Sequence, residues 1–243
     1  MRWLLRRHKR PDAPVRLYFF AHSGGSAGEY LRWSDDLPDV EVVGVQTPGH
    51  GGRVHEEPHH RMADLVGAIV DEVEFTGPFA FFGHSLGAAV AYEVAVALRD
   101  RGLEGPRRLY LSAFEAPHTR LRDREPHALD EPSLIAAVEE MSGPLPPEIH
   151  EDPEWRGLVL GGLRADLEIV DTYHRTLTAP LDCAITALGG AEDFVAEHDL
   201  AAWDRCTTGA FGLRMFAGGH FYFREQHHDV LRFLASDLAG LPR

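Results

Sequence analysis

The chain has 243 residues, 44% of them hydrophobic, and a formal net charge of −14. That apolar share fits a globular protein, the length suits a single α/β domain over 1–243, and the acidic balance speaks against nucleic-acid binding, which needs a basic surface. No apolar run approaches the ~18 residues of a membrane span, and Trp3-Leu4-Leu5 is too short for the core of a signal peptide, so a cytoplasmic, non-membrane protein is expected.

In chain order, Arg2, Arg6, Arg7, Lys9 and Arg10 make the first ten residues basic; they read as a solvated tail that an acidic partner could touch. Residues 16–21 predict a buried strand, ended by Ser23-Gly24-Gly25-Ser26. Residues 29–37 predict a short helix and 40–45 a second strand, which closes into the loop Thr47 to Gly52. From Met62 to Val73 apolar residues recur at helical spacing. Residues 79–82 read as strand and 86–98 as helix. Strand signals return at 108–112, 184–188 and 211–216, and a helix closes the pattern at 230–238. Such alternation implies crossover connections, hence a mostly parallel sheet with helices on both faces. Between His118 and about Ala179 the strand signal lapses. Prolines at 126, 132, 144, 146, 147 and 153 divide helical patches, and the segment reads as an inserted helical lid over the carboxyl ends of the strands, where open α/β sheets bind ligands. Cys183 and Cys206 read as buried thiols.

The chemistry-bearing stretch is Gly83-His84-Ser85-Leu86-Gly87. Set between a strand and a helix, this Gly-x-Ser-x-Gly is a nucleophile elbow, and it implies the α/β-hydrolase fold. Ser85 is the expected nucleophile, and the backbone N–H of Leu86 an expected oxyanion donor. Serine needs a base, and the base an orienting acid, in the order Ser, Asp or Glu, His. Asp193 follows the strand at 184–188, with Glu192 as the reserve choice. His220 follows the strand at 211–216. The second oxyanion donor is expected from the loop after the first strand, at the N–H of Ser23, with Gly24 as the alternative. His22 reads either as pocket lining or as packing, and His84 as structural.

Two patterns mislead. His55-Glu56-Glu57-Pro58-His59 matches H-E-x-x-H, but that zinc motif needs a helix, which Pro58 would break. Gly24-Gly25 lacks the G-x-G-x-x-G of a dinucleotide site. No metal or redox cofactor is expected.

Six stretches together resemble the type II thioesterases, stand-alone editing hydrolases of polyketide and non-ribosomal peptide assembly lines. They are AHSGGSAGEYLRW (21–33), VEVVGVQTPGHGGR (40–53), FFGHSLGAAVAYEVA (81–95), LRAD (163–166), ITALGGAEDFV (185–195) and LRMFAGGHFYF (213–223). The resemblance implies hydrolysis of acyl groups from the phosphopantetheine thiol of acyl or peptidyl carrier proteins, clearing stalled or mis-primed chains, with Ser85, Asp193 and His220 as the triad. Ser23 stands where the family usually has Ala, and His50 where it usually has Arg. The stretch 141–147 fits the family pattern poorly. Within LRAD, Asp166 is expected to fix the lid, shape the site or lie in solvent. Leu163 and Tyr173 are expected either to line an acyl groove or to pack in the core. The rival readings are a small-molecule carboxylesterase or lipase, a chain-releasing thioesterase, and a non-catalytic carrier-binding protein. A monomer is the expected state.

Overall fold

The computed structural model describes residues 3–119, 126–143, 145, 147–175 and 179–241, and only the backbone of Pro126, Met141 and Ser142. Arg2 lies outside the described residues, as do 120–125, 144, 146 and 176–178 of the expected insertion.

In chain order the elements are β1 (Leu4–Leu5), β2 (Val15–Phe20), α1 (Ala27–Leu31), β3 (Val40–Val45), α2 (Met62–Glu72), β4 (Phe79–His84), α3 (Leu86–Asp100), β5 (Arg108–Ser112), α4 (Glu131–Ser142), α5 (Pro147–Glu151), α6 (Pro153–Thr172), β6 (Ala184–Gly190), α7 (Glu197–Ala201), β7 (Phe211–Phe216), α8 (Tyr222–Glu225) and α9 (His227–Ala239). The strands form one seven-stranded sheet in the order β1-β3-β2-β4-β5-β6-β7. All neighbours run parallel except β1, which lies antiparallel to β3. This is the mostly parallel α/β sheet that the alternating pattern predicts.

The inner strands are apolar along their whole length because both faces are covered. Side chains alternate between the two faces. Tyr18, Phe20, Phe79 and Phe81 pack with α2 and α3 on one side. Leu17, Phe19, Ala80 and Phe82 pack with Tyr30, Trp33 and α9 on the other. Helix α3 is buried on nearly every side, Leu86 to Leu98 included. That burial explains why its sequence is apolar all round rather than along one stripe.

Two expectations are corrected. The helix read at 29–37 begins earlier, at Ala27, and gives way after Leu31 to a 3₁₀ turn, Arg32–Asp35. There the Ser34 hydroxyl donates back to the Leu31 carbonyl at 2.7 Å, a side-chain bond that competes with the α-helical ladder.

The basic N-terminus is a docked edge strand rather than a tail. Trp3 is buried, its indole N–H donates to Glu72 at 2.9 Å, and the Arg53 guanidinium sits 4.4 Å above its ring. Arg10 donates to three backbone carbonyls, those of Ser34, Leu37 and Val40. Arg6 and Arg16 both pair with buried Glu41. A two-residue strand carries no period for the sequence to display.

Between β5 and β6 the described residues hold helices and no strand. Asp130 and Asp152 cap α4 and α6, accepting N–H groups from the first turn, with a proline just inside each helix start. Leu134, Leu160 and Leu163 make a small core of their own there, distinct from those of the sheet. No helix among the described residues is long and apolar enough to cross a membrane.

Arg10→Ala is expected to lower stability by about 1–3 kcal/mol, since it strands carbonyls that now have a charged donor. Arg7, whose pair with Asp35 is half exposed, should lose less than about 1 kcal/mol on the same change. Chemical denaturation of both variants checks this, and equal small losses would return the segment to a solvated tail.

Candidate active site

Ser85 is the single residue between β4 and α3, at φ 53° and ψ −123°. A non-glycine residue held there costs on the order of 1–3 kcal/mol, so its surroundings must enforce it. They do so by backbone contact. A side chain on Gly83 would lie 2.0 Å from the Gly87 carbonyl oxygen, and one on Gly87 would lie 2.1 Å from the Phe20 carbonyl oxygen. The strand and helix therefore meet with no room for a Cβ. Ser85 N–H donates to the Ser112 carbonyl at 2.8 Å, which ties the turn to β5. The N-terminus of α3 aims its partial positive charge at the same point.

Because the strands are parallel, the ends of β2, β4, β6 and β7 share one edge of the sheet. Asp193 sits just past β6, its side chain fully enclosed. His220 lies past β7, and its Nδ1–H donates to both Asp193 oxygens, at 3.0 and 3.1 Å. The carboxylate can only accept, so it assigns the proton to Nδ1 and leaves Nε2 with the lone pair. Glu192, the reserve choice, is exposed. The His220 ring lies 5.0 Å from that of His84, the residue before the nucleophile, and Phe194 stacks on it at 4.8 Å. Among the described residues the Ser85 hydroxyl makes no hydrogen bond. The serine and the His220–Asp193 pair thus share one rim of the sheet.

The neighbouring histidines are of another kind. His84 is fully buried, its Nδ1 2.8 Å from the Ser112 hydroxyl, which in turn reaches Tyr222. Burial first, and nearby His220, His22 and Arg224 second, hold its pKa well below the usual imidazole value. His22 bonds the Tyr30 hydroxyl at 3.0 Å, and burial above all lowers its pKa to about 3. Both are neutral at working pH. A narrow cavity opens beside the elbow, lined by Phe20, His22, Val45, Leu65, Leu86 and Val90. His22 therefore both lines the pocket and packs.

The N–H groups of Leu86 and Ser23 have no acceptor among the described residues, whereas Gly24 N–H donates to Asp166 at 2.8 Å. Asp166 is buried and also lies 2.8 Å from His50 Nε2. It bridges α6 to two loops of the rim. Leu163 packs against the backbone of Gly24, so it faces the rim as well as the small lid core. Tyr173 is a packing residue: its hydroxyl donates to buried Glu93 at 2.6 Å. The sequence offered no sign of the His50–Asp166 contact or of Phe194 over His220. Both join residues from separate segments, and neither forms a periodic pattern.

No group of three or more histidine, cysteine, aspartate or glutamate side chains among the described residues is disposed to hold a metal. His55 and His59 lie in non-helical chain and share no helix face. Cys183 and Cys206 are free thiols, raised by burial to about 12 and about 11.

The sequence profile of the thioesterase domain family matches residues 15–238. Thioesterase PikA5 of Streptomyces venezuelae is 38% identical over 241 residues, covering 97% of this chain and 85% of that protein. Among solved structures, the RedJ thioesterase from the prodiginine pathway of Streptomyces coelicolor superposes with a TM-score of 0.85 at 36% identity, covering 93% of this chain and 86% of that one. The type II thioesterase BorB from the borrelidin biosynthetic cluster superposes at 0.86 with 30% identity over 96% of both chains. These neighbours have the α/β-hydrolase fold.

Gly87→Ala is expected to cost more than about 4 kcal/mol, because backbone rather than a movable side chain fills the space. Gly67, in α2 with nothing near its missing Cβ, should instead gain about 0.5–1 kcal/mol as alanine. Thermal melts of the pair test the backbone contact. G87A melting with the wild type would show the elbow to be loose.

Proposed function

The chain belongs to the thioesterase family, and on that premise we propose that Ser85, His220 and Asp193 are the catalytic triad of a serine thioesterase acting on acyl groups carried on phosphopantetheine. The observation that carries this reading is the Asp193–His220 pair at the same sheet edge as the strained Ser85.

His220 Nε2 takes the Ser85 proton as the hydroxyl oxygen bonds to the thioester carbonyl carbon. The carbonyl oxygen becomes an oxyanion, which the N–H groups of Leu86 and Ser23 stabilise. Loss of one such donor typically costs about 10²–10³ in rate. Occupation of the Gly24 N–H by Asp166 favours Ser23 over Gly24 as the second donor. The intermediate collapses, the C–S bond breaks, and the imidazolium protonates the departing thiolate. Water, deprotonated by His220, then attacks the acyl-Ser85 ester. The products are the free acid, the pantetheine thiol and regenerated serine. His84 and His22 are weak competing bases, because burial depresses both pKa values and so disfavours the protonated ring a base becomes. No metal or redox cofactor enters the cycle.

The substrates are acyl or peptidyl chains on carrier proteins, removed when stalled or aberrant during polyketide or non-ribosomal peptide biosynthesis. Support comes from the relatives, which include a gramicidin S biosynthesis protein and the borrelidin-cluster thioesterase. On this reading the helices α4 to α6, within about 118–179 of a single domain, belong to the lid. The enzyme works in the cytoplasm as a monomer, with an acyl carrier as its partner.

The decisive experiment presents one short acyl group on a carrier protein, on a small pantetheine thiol and as an oxygen ester. Carrier turnover is expected to be fastest and ester turnover slowest. Ester preference would make the protein a carboxylesterase, and a cyclic product a chain-releasing enzyme. Ser85→Ala should abolish turnover in all three; unchanged turnover would refute the triad. Asp193→Asn should lower kcat by about 10⁴, because an amide N–H facing Nδ1 selects the wrong tautomer.

A further inference from the structure

His50 stands at the junction of three separate segments: its own loop after β3, the loop after β2 that carries Ser23 and Gly24, and helix α6. It is buried, as is Asp166 on α6. Its Nδ1 lies 2.9 Å from the Pro48 carbonyl and 3.2 Å from the Thr47 hydroxyl. Its Nε2 lies 2.8 Å from Asp166 Oδ2, at ion-pair distance and on a bent approach rather than along a straight hydrogen bond. The same Oδ2 accepts the Gly24 N–H at 2.8 Å. Helix α6 comes close enough that a side chain at Gly162 would meet the Gly49 carbonyl oxygen at 2.5 Å. The helix and the His50 loop therefore touch backbone to backbone.

The chemistry of these neighbours sets the charge on the ring. A carbonyl oxygen and a carboxylate oxygen only accept, and they flank the two ring nitrogens. A neutral imidazole has one N–H and one lone pair, so it would face one of these oxygens with a lone pair. A doubly protonated ring turns an N–H to the carbonyl and sets a positive charge beside the carboxylate, so neither oxygen meets a lone pair. We propose that His50, held as an imidazolium between the Pro48 carbonyl and Asp166, is a positioning residue that locks α6 to the oxyanion loop. The carboxylate it anchors holds Gly24 N–H, and so turns the preceding N–H, that of Ser23, toward the site. This inference rests on the proposed oxyanion role of Ser23.

The charged and titratable groups facing His50 can be named. Asp166 faces it from α6. His22 faces it from the oxyanion loop and is neutral. Arg53 follows on its own loop and is already paired with Glu56. Burial alone would lower the pKa of His50. The charge of Asp166 beside the ring, with the Pro48 carbonyl, outweighs burial and raises it above the usual imidazole value. A group raised in this way contributes fully below its ordinary value of about 6.5 and loses its contribution as pH climbs through the raised one. The lock therefore weakens on the alkaline side.

The test is the pH profile of kcat and KM for acyl-pantetheine hydrolysis, with an NMR titration of the His50 ring assigned through His50→Gln. Wild-type kcat is expected to decline on the alkaline side at the pH where His50 titrates. His50→Arg keeps a permanent cation there and should lose that decline. His50→Gln should run at about a tenth of the wild-type kcat at neutral pH, short of the 10²–10³ for a missing donor, with KM little changed and no alkaline decline of its own. Asp166→Asn keeps an acceptor for Gly24 but removes the charge, and should move the decline to lower pH. Coincident alkaline limbs for wild type and H50R overturn the proposal, as does a His50 ring that titrates at or below the ordinary value. If H50R does not fold, the NMR titration and the D166N profile decide. A Ser85→Ala control separates the two levels. Its failure to abolish turnover would refute the proposed chemistry, whereas a dead S85A beside coincident limbs would refute the lock alone.

Discussion

The site hangs on a single steric fact, the contact of the Gly87 backbone with the carbonyl of Phe20. It forces α3 hard against β2 as the chain leaves β4, and the only way to make so sharp a reversal is to push Ser85 into a conformation most residues avoid. The strain is local, but what offsets it is spread widely. Helix α3 is buried along almost its whole length, and the Ser85 N–H is held by the neighbouring strand. Burial of a large apolar side chain contributes on the order of 1.5–3 kcal/mol. A few α3 side chains therefore outweigh the cost at Ser85.

From that fixed point the electrostatics follow by subtraction. Three imidazoles, those of His22, His84 and His220, lie in a chain beside the elbow, and an imidazolium among them would be costly unless paired. His84 and His22 have only neutral hydroxyls as their short hydrogen-bond partners, so burial keeps them uncharged. His220 alone of the three has an enclosed carboxylate on Nδ1. Only there can positive charge develop in the course of a reaction and find compensation already in place. Among these three rings, the enclosed anion behind His220 rather than proximity to the serine marks the candidate base.

Much of this was legible in the sequence. The strands were visible because a sheet covered on both faces requires uninterrupted apolar runs, as at Phe79 to Phe82. The elbow was visible because its glycines are required by backbone contact and cannot be replaced. Asp193 and His220 were visible because each follows a strand in a fixed order. What escaped has a common cause. Trp3 and Arg10 anchor the N-terminal edge through contacts with Glu72, Arg53 and three carbonyls, scattered along the chain and so without a pattern. Asp166 was noticed through LRAD, yet its partners, Gly24 and His50, lie far away in sequence and become neighbours only once α6 folds back over the rim. The 3₁₀ turn after Leu31 depends on one serine hydroxyl choosing a nearby carbonyl.

During synthesis, the order of strands across the sheet becomes an order of events. Strands β2 to β5 are neighbours within the first part of the chain, so the elbow and Ser85 can assemble while the rest is still being made, since domains fold from the N-terminus as they emerge. Asp193 and His220 arrive only with β6 and β7, on the far side of the α4–α6 insertion. Until β7 docks, the nascent protein has a bent serine without the His220–Asp193 pair and an open edge at β5 or β6. The pairing that closes the sheet also completes the proposed triad, so a chain that stalls before β7 lacks it and is exposed to edge-to-edge association.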